Sequence, residues 1–333
     1  MKKFKPFVKL ILVATFLLCS GCSSSPSDED IMLSYIIAGN KAAEMGKFEL
    51  AKKEYNLALK INPNSNTAKR NLGIVLVKLG LYKDAIDSLK EISPTYPKDP
   101  EVYYFLGESY RGISLYSDAV DAYNNGLNFS AKDARIIKSL AWVYLKQNKP
   151  LAAKNLIQGY YKQDPNDVQL MLIMSGIHNK MKNYDKTIKT LKIFESSNFK
   201  LKSSNKELAE TEKILLLDSL GEAYFGLNNC EKSQKIYEII LNTRPFLASA
   251  LMKSAKCDIK LNRTHDAEVK LEKAQASEPN NVDILFWLGY IYTSSDPKKS
   301  SFYYQRFLDR SEHDPTYSSE VLRAQSAVGR VNN

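Results

Sequence analysis

The stretch LGIVLVKLGLYKDAIDSL, Leu72 to Leu89, sets apolar positions against small and charged ones in an order that the chain repeats. It returns as LGESYRGISLYSDAVDAY at Leu106 to Tyr123, as LAWVYLKQNKPLAAKNLI at Leu140 to Ile157 and as LGEAYFGLNNCEKSQKIY at Leu220 to Tyr237. Pro63 and Pro97 lie 34 residues apart, Pro97 and Pro165 68 apart, and Pro245 and Pro279 again 34. Self-similarity at a fixed period of this length marks a supersecondary unit copied in series, and here the unit reads as two antiparallel helices. Helices pack closely only across small side chains, which accounts for Gly39, Gly73, Gly107, Ala141, Gly221, Ala255 and Gly289 on the first helix. Ala51, Ala85, Ala119, Ala153 and Ala267 do the same on the second. Tyr55, Leu89, Tyr123, Ile157, Tyr237 and Leu271 fill the space between units, and the proline stops the second helix because it cannot continue the hydrogen-bond ladder.

In this frame units begin at residues 32, 66, 100, 134, 168, 214, 248 and 282. The fifth is degenerate, with Ser175, His178 and Thr187 at signature positions and no closing proline, which makes it the natural place for self-association. The expected organisation is a leader over 1–21, a flexible tether over 22–31, units one to five over 32–201, an insertion over 202–213, units six to eight over 214–315, and a capping helix and tail over 316–333. The insertion either lengthens two helices or forms a loop. In the last segment Tyr317, Val321, Ala324 and Val328 share one helical face, as a helix closing the open end of a stack requires.

The 34-residue pattern resembles the tetratricopeptide repeat. The resemblance implies an all-α fold, a right-handed superhelical solenoid of about eight helix-turn-helix units with a C-terminal capping helix, and a role in binding other proteins. In that family the first helices line the groove that partners use, which here implies Ile36, Asn40, Arg70, Ile74, Tyr104, Arg111, Lys138, Trp142, Leu172, Phe225, Ile259, Phe286 and Tyr290. Asn40 and Asn71 coincide with two asparagines that hold peptide backbone in the chaperone-binding branch of the family. Ile36, Glu101 and Phe105 replace the basic residues of that branch's carboxylate clamp, so the expected ligand is instead a segment with aromatic and acidic residues.

The N-terminus carries a different signal. Lys2, Lys3, Lys5 and Lys9 precede a nearly unbroken apolar run from Leu10 to Leu18, too short for a membrane span and suited to an export leader. Leu18, Ser20, Gly21 and Cys22 resemble the lipobox of bacterial lipoproteins, with Cys19 where that family usually has a branched aliphatic residue. The resemblance implies lipidation at Cys22, and Ser23 after it points to the outer membrane, facing the periplasm, in a Gram-negative source. The alternative is an ordinary leader that happens to end in cysteine.

Without the four leader lysines the formal charge of +10 falls to about +6, spread without long like-charge blocks, which argues against a nucleic-acid partner. His178, His265 and His313 are scattered, with no metal-binding or phosphate-cradling motif, so the reading is a non-enzyme with no metal and no cofactor. Cys230 and Cys257 fall on neighbouring antiparallel helices and either form a disulfide or remain two buried thiols. A lipid-anchored repeat protein of this kind resembles the lipoproteins of pilus biogenesis, the TadD proteins of tight-adherence pili and the pilotins of type IV pili. That resemblance implies a secretin or pilus component as partner. The alternatives are an adaptor for peptidoglycan synthases or hydrolases and, more remotely, an enzyme with a site built across repeats.

Overall fold

The computed structural model describes residues 26–195, 206–311 and 314–331. Cys22 and the leader lie outside the described residues, as do 196–205 of the segment around the expected insertion. Among the described residues every element is helical, and they run as hairpins of paired helices. The chain divides into two compact units, one up to Ile136 and one from Ile137 onward.

The first unit contains α1 (Asp28–Glu44), α2 (Phe48–Ile61), α3 (Asn66–Lys78), α4 (Tyr82–Ile92), α5 (Pro100–Gly112) and α6 (Tyr116–Phe129), and ends in the first turn of α7 (Ala134–Lys146). The second continues α7 and adds α8 (Pro150–Gln163), α9 (Val168–Lys180), α10 (Tyr184–Leu191), α11 (Lys206–Gly226), α12 (Cys230–Thr243), α13 (Ala248–Lys260) and α14 (Thr264–Ser277). It closes with α15 (Val282–Tyr292), α16 (Pro297–Ser311) and α17 (Ser318–Val331).

Polar caps set the starts of the first helices. Ser65, Asp99, Asp167 and Asn281 each accept a hydrogen bond from a backbone N–H in the opening turn of α3, α5, α9 and α15. At the N-terminus Ser27 and Asp30 form a reciprocal capping box, and Asp28, Glu29 and Asp30 place negative charge at the positive end of the helix dipole. Residues 28–31, expected in the tether, are therefore the first turn of α1. In every hairpin from α1–α2 to α13–α14 a single left-handed residue makes the corner: Gly46 and Gly80, then Ser114, Asn148, Lys182, Asn228 and Asn262. Residues 206–213, inside the expected insertion, form the opening turns of α11, which at 21 residues is longer than any other helix described.

The small residues of the first helices meet large ones on the second in matched pairs. A methyl group added at Gly39, Gly73, Gly221 or Gly289 would lie 2.5–2.8 Å from Tyr55, Leu89, Tyr237 or Tyr304 respectively, and one at Gly107 would overlap Tyr123. Where the first helix carries alanine, as at Ala141 and Ala255, the partner is the smaller Ile157 or Leu271. In these pairs a larger residue on the first helix goes with a smaller one on the second, as close packing demands, while Gly73 with Leu89 is small on both sides. All of these large partners are almost completely buried.

The degenerate fifth repeat is packed as tightly as the rest. Ser175 and Thr187 are completely buried, and Thr187 donates to Asn179 Oδ1 at 2.7 Å and to the Ser175 carbonyl at 3.3 Å. Its lost signature residues face inward, so they offer no surface for self-association. His178 is also buried, and burial, with Lys186 and Lys154 nearby, holds its imidazole below the ordinary 6.5. On acidification the unfolded chain takes up this proton first, so stability present above 6.5 is lost as the pH falls through the folded-state value. His178→Leu is expected to flatten the plot of denaturant midpoint against pH between roughly pH 7 and pH 5. A variant plot parallel to the parent's would show that His178 does not drive the acid sensitivity.

Candidate functional site: a groove on the first helices of the second unit

In the first unit the expected groove residues satisfy one another. Asn40 Oδ1 accepts from Tyr55 Oη at 2.7 Å and from Asn71 Nδ2 at 2.9 Å. Arg70 donates to Asp99 at 2.8 Å and to Glu101 at 2.5 Å, so its charge is balanced within the fold. Arg111 pairs with Glu108, which also accepts from Tyr123 Oη at 2.5 Å. Tyr104 lies under the Arg135 guanidinium at 5.0 Å, Ile74 packs in the cluster around Leu89 and Phe105, and Ile36 is buried against Ala58 and Ala68. These side chains chiefly hold the stack together.

The second unit is different. A groove of 690 Å³ opens along α7, α9, α11 and α13, with Trp142, Leu172, Ile173 and Phe225 among its apolar lining and Asp218, Glu222, Lys253 and Lys256 among its charges. Trp142 and Phe225, both expected in the groove, are there. Lys138 lies on α7 but is tied to Asp167 at 3.1 Å. Tyr290 packs edge-on to Trp287 at 5.4 Å, with the Arg323 guanidinium 4.3 Å above its ring. Phe286, expected in the groove, is instead a core residue, packed on Tyr304 and Phe307. The helix VDILFWLGYIY is apolar almost all round, so its own pattern does not say which aromatic faces inward, and Trp287 takes the outward place.

Three charges in the groove form a network. Lys253 Nζ reaches both oxygens of Asp218 at 2.7 and 2.8 Å and Glu222 Oε1 at 2.6 Å. Burial raises the Asp218 carboxyl above its usual range, against the pull of Lys253. Burial also works against the Lys253 ammonium, but the two carboxylates outweigh it and its pKa is raised. Lys256 stands apart: its ammonium lies 5.0 Å from the Trp287 ring centre and 5.5 Å from that of Phe225, with Lys260 3.9 Å from the same Phe225 ring. Burial lowers the Lys256 pKa, with Asp283 opposing it in part.

Sequence reasoning passed over Asp218, Glu222, Lys253 and Lys256 by treating charges as wet surface. The signal was present, since Glu222, Lys256 and Tyr290 follow one another at 34-residue spacing, the register of Trp142.

Cys230 and Cys257 are free, buried thiols. Burial first, and the Cys230 thiol beside it, push Cys257 up to about 12. Peptide-level mass spectrometry is expected to find both alkylated by iodoacetamide only after denaturation. Rapid labelling of the native chain would show that this corner opens readily. Among the described residues no three His, Cys, Asp or Glu side chains are grouped to hold a metal, and no helix is long and apolar enough to cross a membrane.

Residues 42–108 match the family model described as tetratricopeptide repeat. Among curated proteins, the TPR repeat-containing protein YpiA of Bacillus subtilis is 27% identical over 143 residues, covering 43% of this chain. The chain spans about a third of that relative's length, 34%. Among solved structures, a tetratricopeptide repeat protein from Parabacteroides merdae superposes with a TM-score of 0.59 at 15% identity, covering 76% of this chain and 95% of that one. Pseudomonas aeruginosa PilF superposes with a TM-score of 0.51, also at 15% identity, over 68% of this chain and 96% of that one. At such identities the likeness is one of fold. Taken with the serial hairpins and their small-against-large pairs, these findings show a tetratricopeptide-repeat match over residues 42–108 and a fold that resembles solved tetratricopeptide-repeat structures.

Proposed function

We propose that this protein is a non-enzymatic adaptor, anchored by lipid on Cys22 to the outer membrane and facing the periplasm, that helps assemble a pilus or secretin system. The observation that carries the binding half is the groove of the second unit. It offers apolar surface and charge on adjacent first helices, whereas the corresponding residues of the first unit are engaged with one another. Concave sites with a few convergent polar groups are where ligands bind, and exposed Trp, Tyr and Arg anchor protein partners. The anchor half rests on the lipobox-like Leu18, Ser20, Gly21 and Cys22, and the pilus half on the resemblance of a lipid-anchored repeat protein to TadD proteins and pilotins.

The test is photocrosslinking in intact cells, with a photoreactive residue at Trp142 and, as control, at the exposed Lys235 on α12. The expected result is capture of a secretin or pilus component from Trp142 alone. Capture of a cell-wall enzyme would overturn the pilus assignment while leaving the groove, and equal capture from both positions would overturn the groove. Metabolic labelling with an alkyne fatty acid, lost in Cys22→Ala, checks the anchor; unchanged labelling would remove it.

A further inference from the structure

We infer that the groove of the second unit takes a peptide segment in which acidic residues alternate with apolar or aromatic ones, and that Lys256 anchors one of its carboxylates. This deepens the adaptor reading and rests on it.

The lysines of the groove fall into two kinds. Lys253 is consumed by Asp218 and Glu222. Lys146, Lys180 and Lys256 also line the groove, and among the described residues none has a carboxylate within ion-pair distance. Lys256 is placed by aromatic faces instead, with Phe225 on one side and Trp287 on another, and Lys146 lies over Trp142 at 4.9 Å. Ring faces attract an ammonium but do not neutralise it, so a partly desolvated cation on such a platform gains most from an incoming full anion. Burial already lowers the pKa of Lys256, which is the mark of a cation short of counter-charge.

The anion belongs to a peptide, not to a polyphosphate or a lipid headgroup layer. Asp218 and Glu222 stand on the same groove wall and would repel a continuous line of phosphates. A peptide can place a carboxylate at Lys256 and another near Lys146 and Lys180, and lay apolar side chains on Trp142, Leu172 and Phe225 between them. Glu222 is half-exposed and uses Oε1 for Lys253, which leaves it able to accept a backbone N–H of such a segment.

Both tryptophans of the chain, Trp142 and Trp287, stand beside these cations, so intrinsic fluorescence reports occupancy directly. A random dodecapeptide library on phage is panned against the full-length chain in detergent, and the enriched peptides are synthesised and titrated. The expected result is enrichment of peptides carrying Asp or Glu beside Phe, Tyr, Trp or Leu, with binding weakened at least about ten-fold in Lys256→Glu and several-fold in Lys256→Met. Lys256→Met keeps the apolar stem between the rings, so an unchanged circular dichroism spectrum with weakened binding separates lost charge from lost fold. Enrichment of basic peptides, no enrichment, equal binding to the Lys256 variants, or comparable binding of inorganic polyphosphate would each overturn the inference. Capture of a partner from Trp142 in cells together with any of those outcomes would leave the adaptor reading standing and remove only the acidic segment.

Discussion

Asp258→Ala is expected to cost the second unit about 3 to 5 kcal/mol, the range for removing one member of a buried ion pair. Asp258 is 1% exposed, yet it is a carboxylate in the last turn of α13. Lys270 Nζ donates to Oδ2 at 2.5 Å, and the Gln234 side-chain amide donates to Oδ1. Gln234 in turn accepts from Arg263 at 3.2 Å, so α12, α13 and α14 are joined through one side chain. Deleting it strands a partly buried ammonium and an amide together, and the penalty is that of unpaired groups rather than of the pair's net worth. Asp258→Asn, which keeps a hydrogen-bonding group and loses the charge, should cost less. Asp258→Leu combined with Lys270→Met should recover much of the loss, because the pair is then replaced by apolar volume. Since repeat stacks do not unfold strictly all-or-none, hydrogen exchange of the α13 amides is the sharper measurement. Unchanged protection in Asp258→Ala would show that the network adds nothing.

The second large effect lies in the matched pairs. Gly221→Ala is expected to destabilise by about 1 to 3 kcal/mol, because its new methyl would lie 2.8 Å from the Tyr237 ring, a buried side chain that cannot give way. Tyr237→Leu alone leaves a cavity and costs about 2 to 4 kcal/mol. The two together reproduce the Ala255 and Leu271 combination that the next repeat already uses, so the double variant should be more stable than the sum of the singles by about 1 to 2 kcal/mol. Strict additivity in the four-member cycle would mean that the contact is not a unit of packing.

These pairs also explain what could be read from the residues alone. A period of 34 copies the same small-against-large contact down the chain, so helix starts at Asn66, Pro100, Ala134, Val168, Ala248 and Val282 follow from the first well-formed repeat. The residues of the groove were legible only in part. Trp142 and Phe225 stand where the repeat register places them, but Phe286 does not, since a helix apolar on all sides offers no phase. The Lys253 network and the Lys256 platform depend on which side chains of α11, α13 and α15 meet across space. A pattern along one helix does not contain that information. The opening turn of α1 was obscured for another reason: a Ser-rich, acidic stretch reads as a tether until the capping box between Ser27 and Asp30 is seen to close.

The division of labour between neighbouring hairpins bears on how the chain acquires its structure. Within each unit the helices pack mainly on their neighbours in sequence, so contacts rarely join distant parts of the chain. Low contact order of this kind lowers the loop-closure entropy of the folding nucleus and speeds folding. A partial chain emerging from a narrow pore can therefore consolidate hairpin by hairpin, in the order in which it arrives, without waiting for its far end.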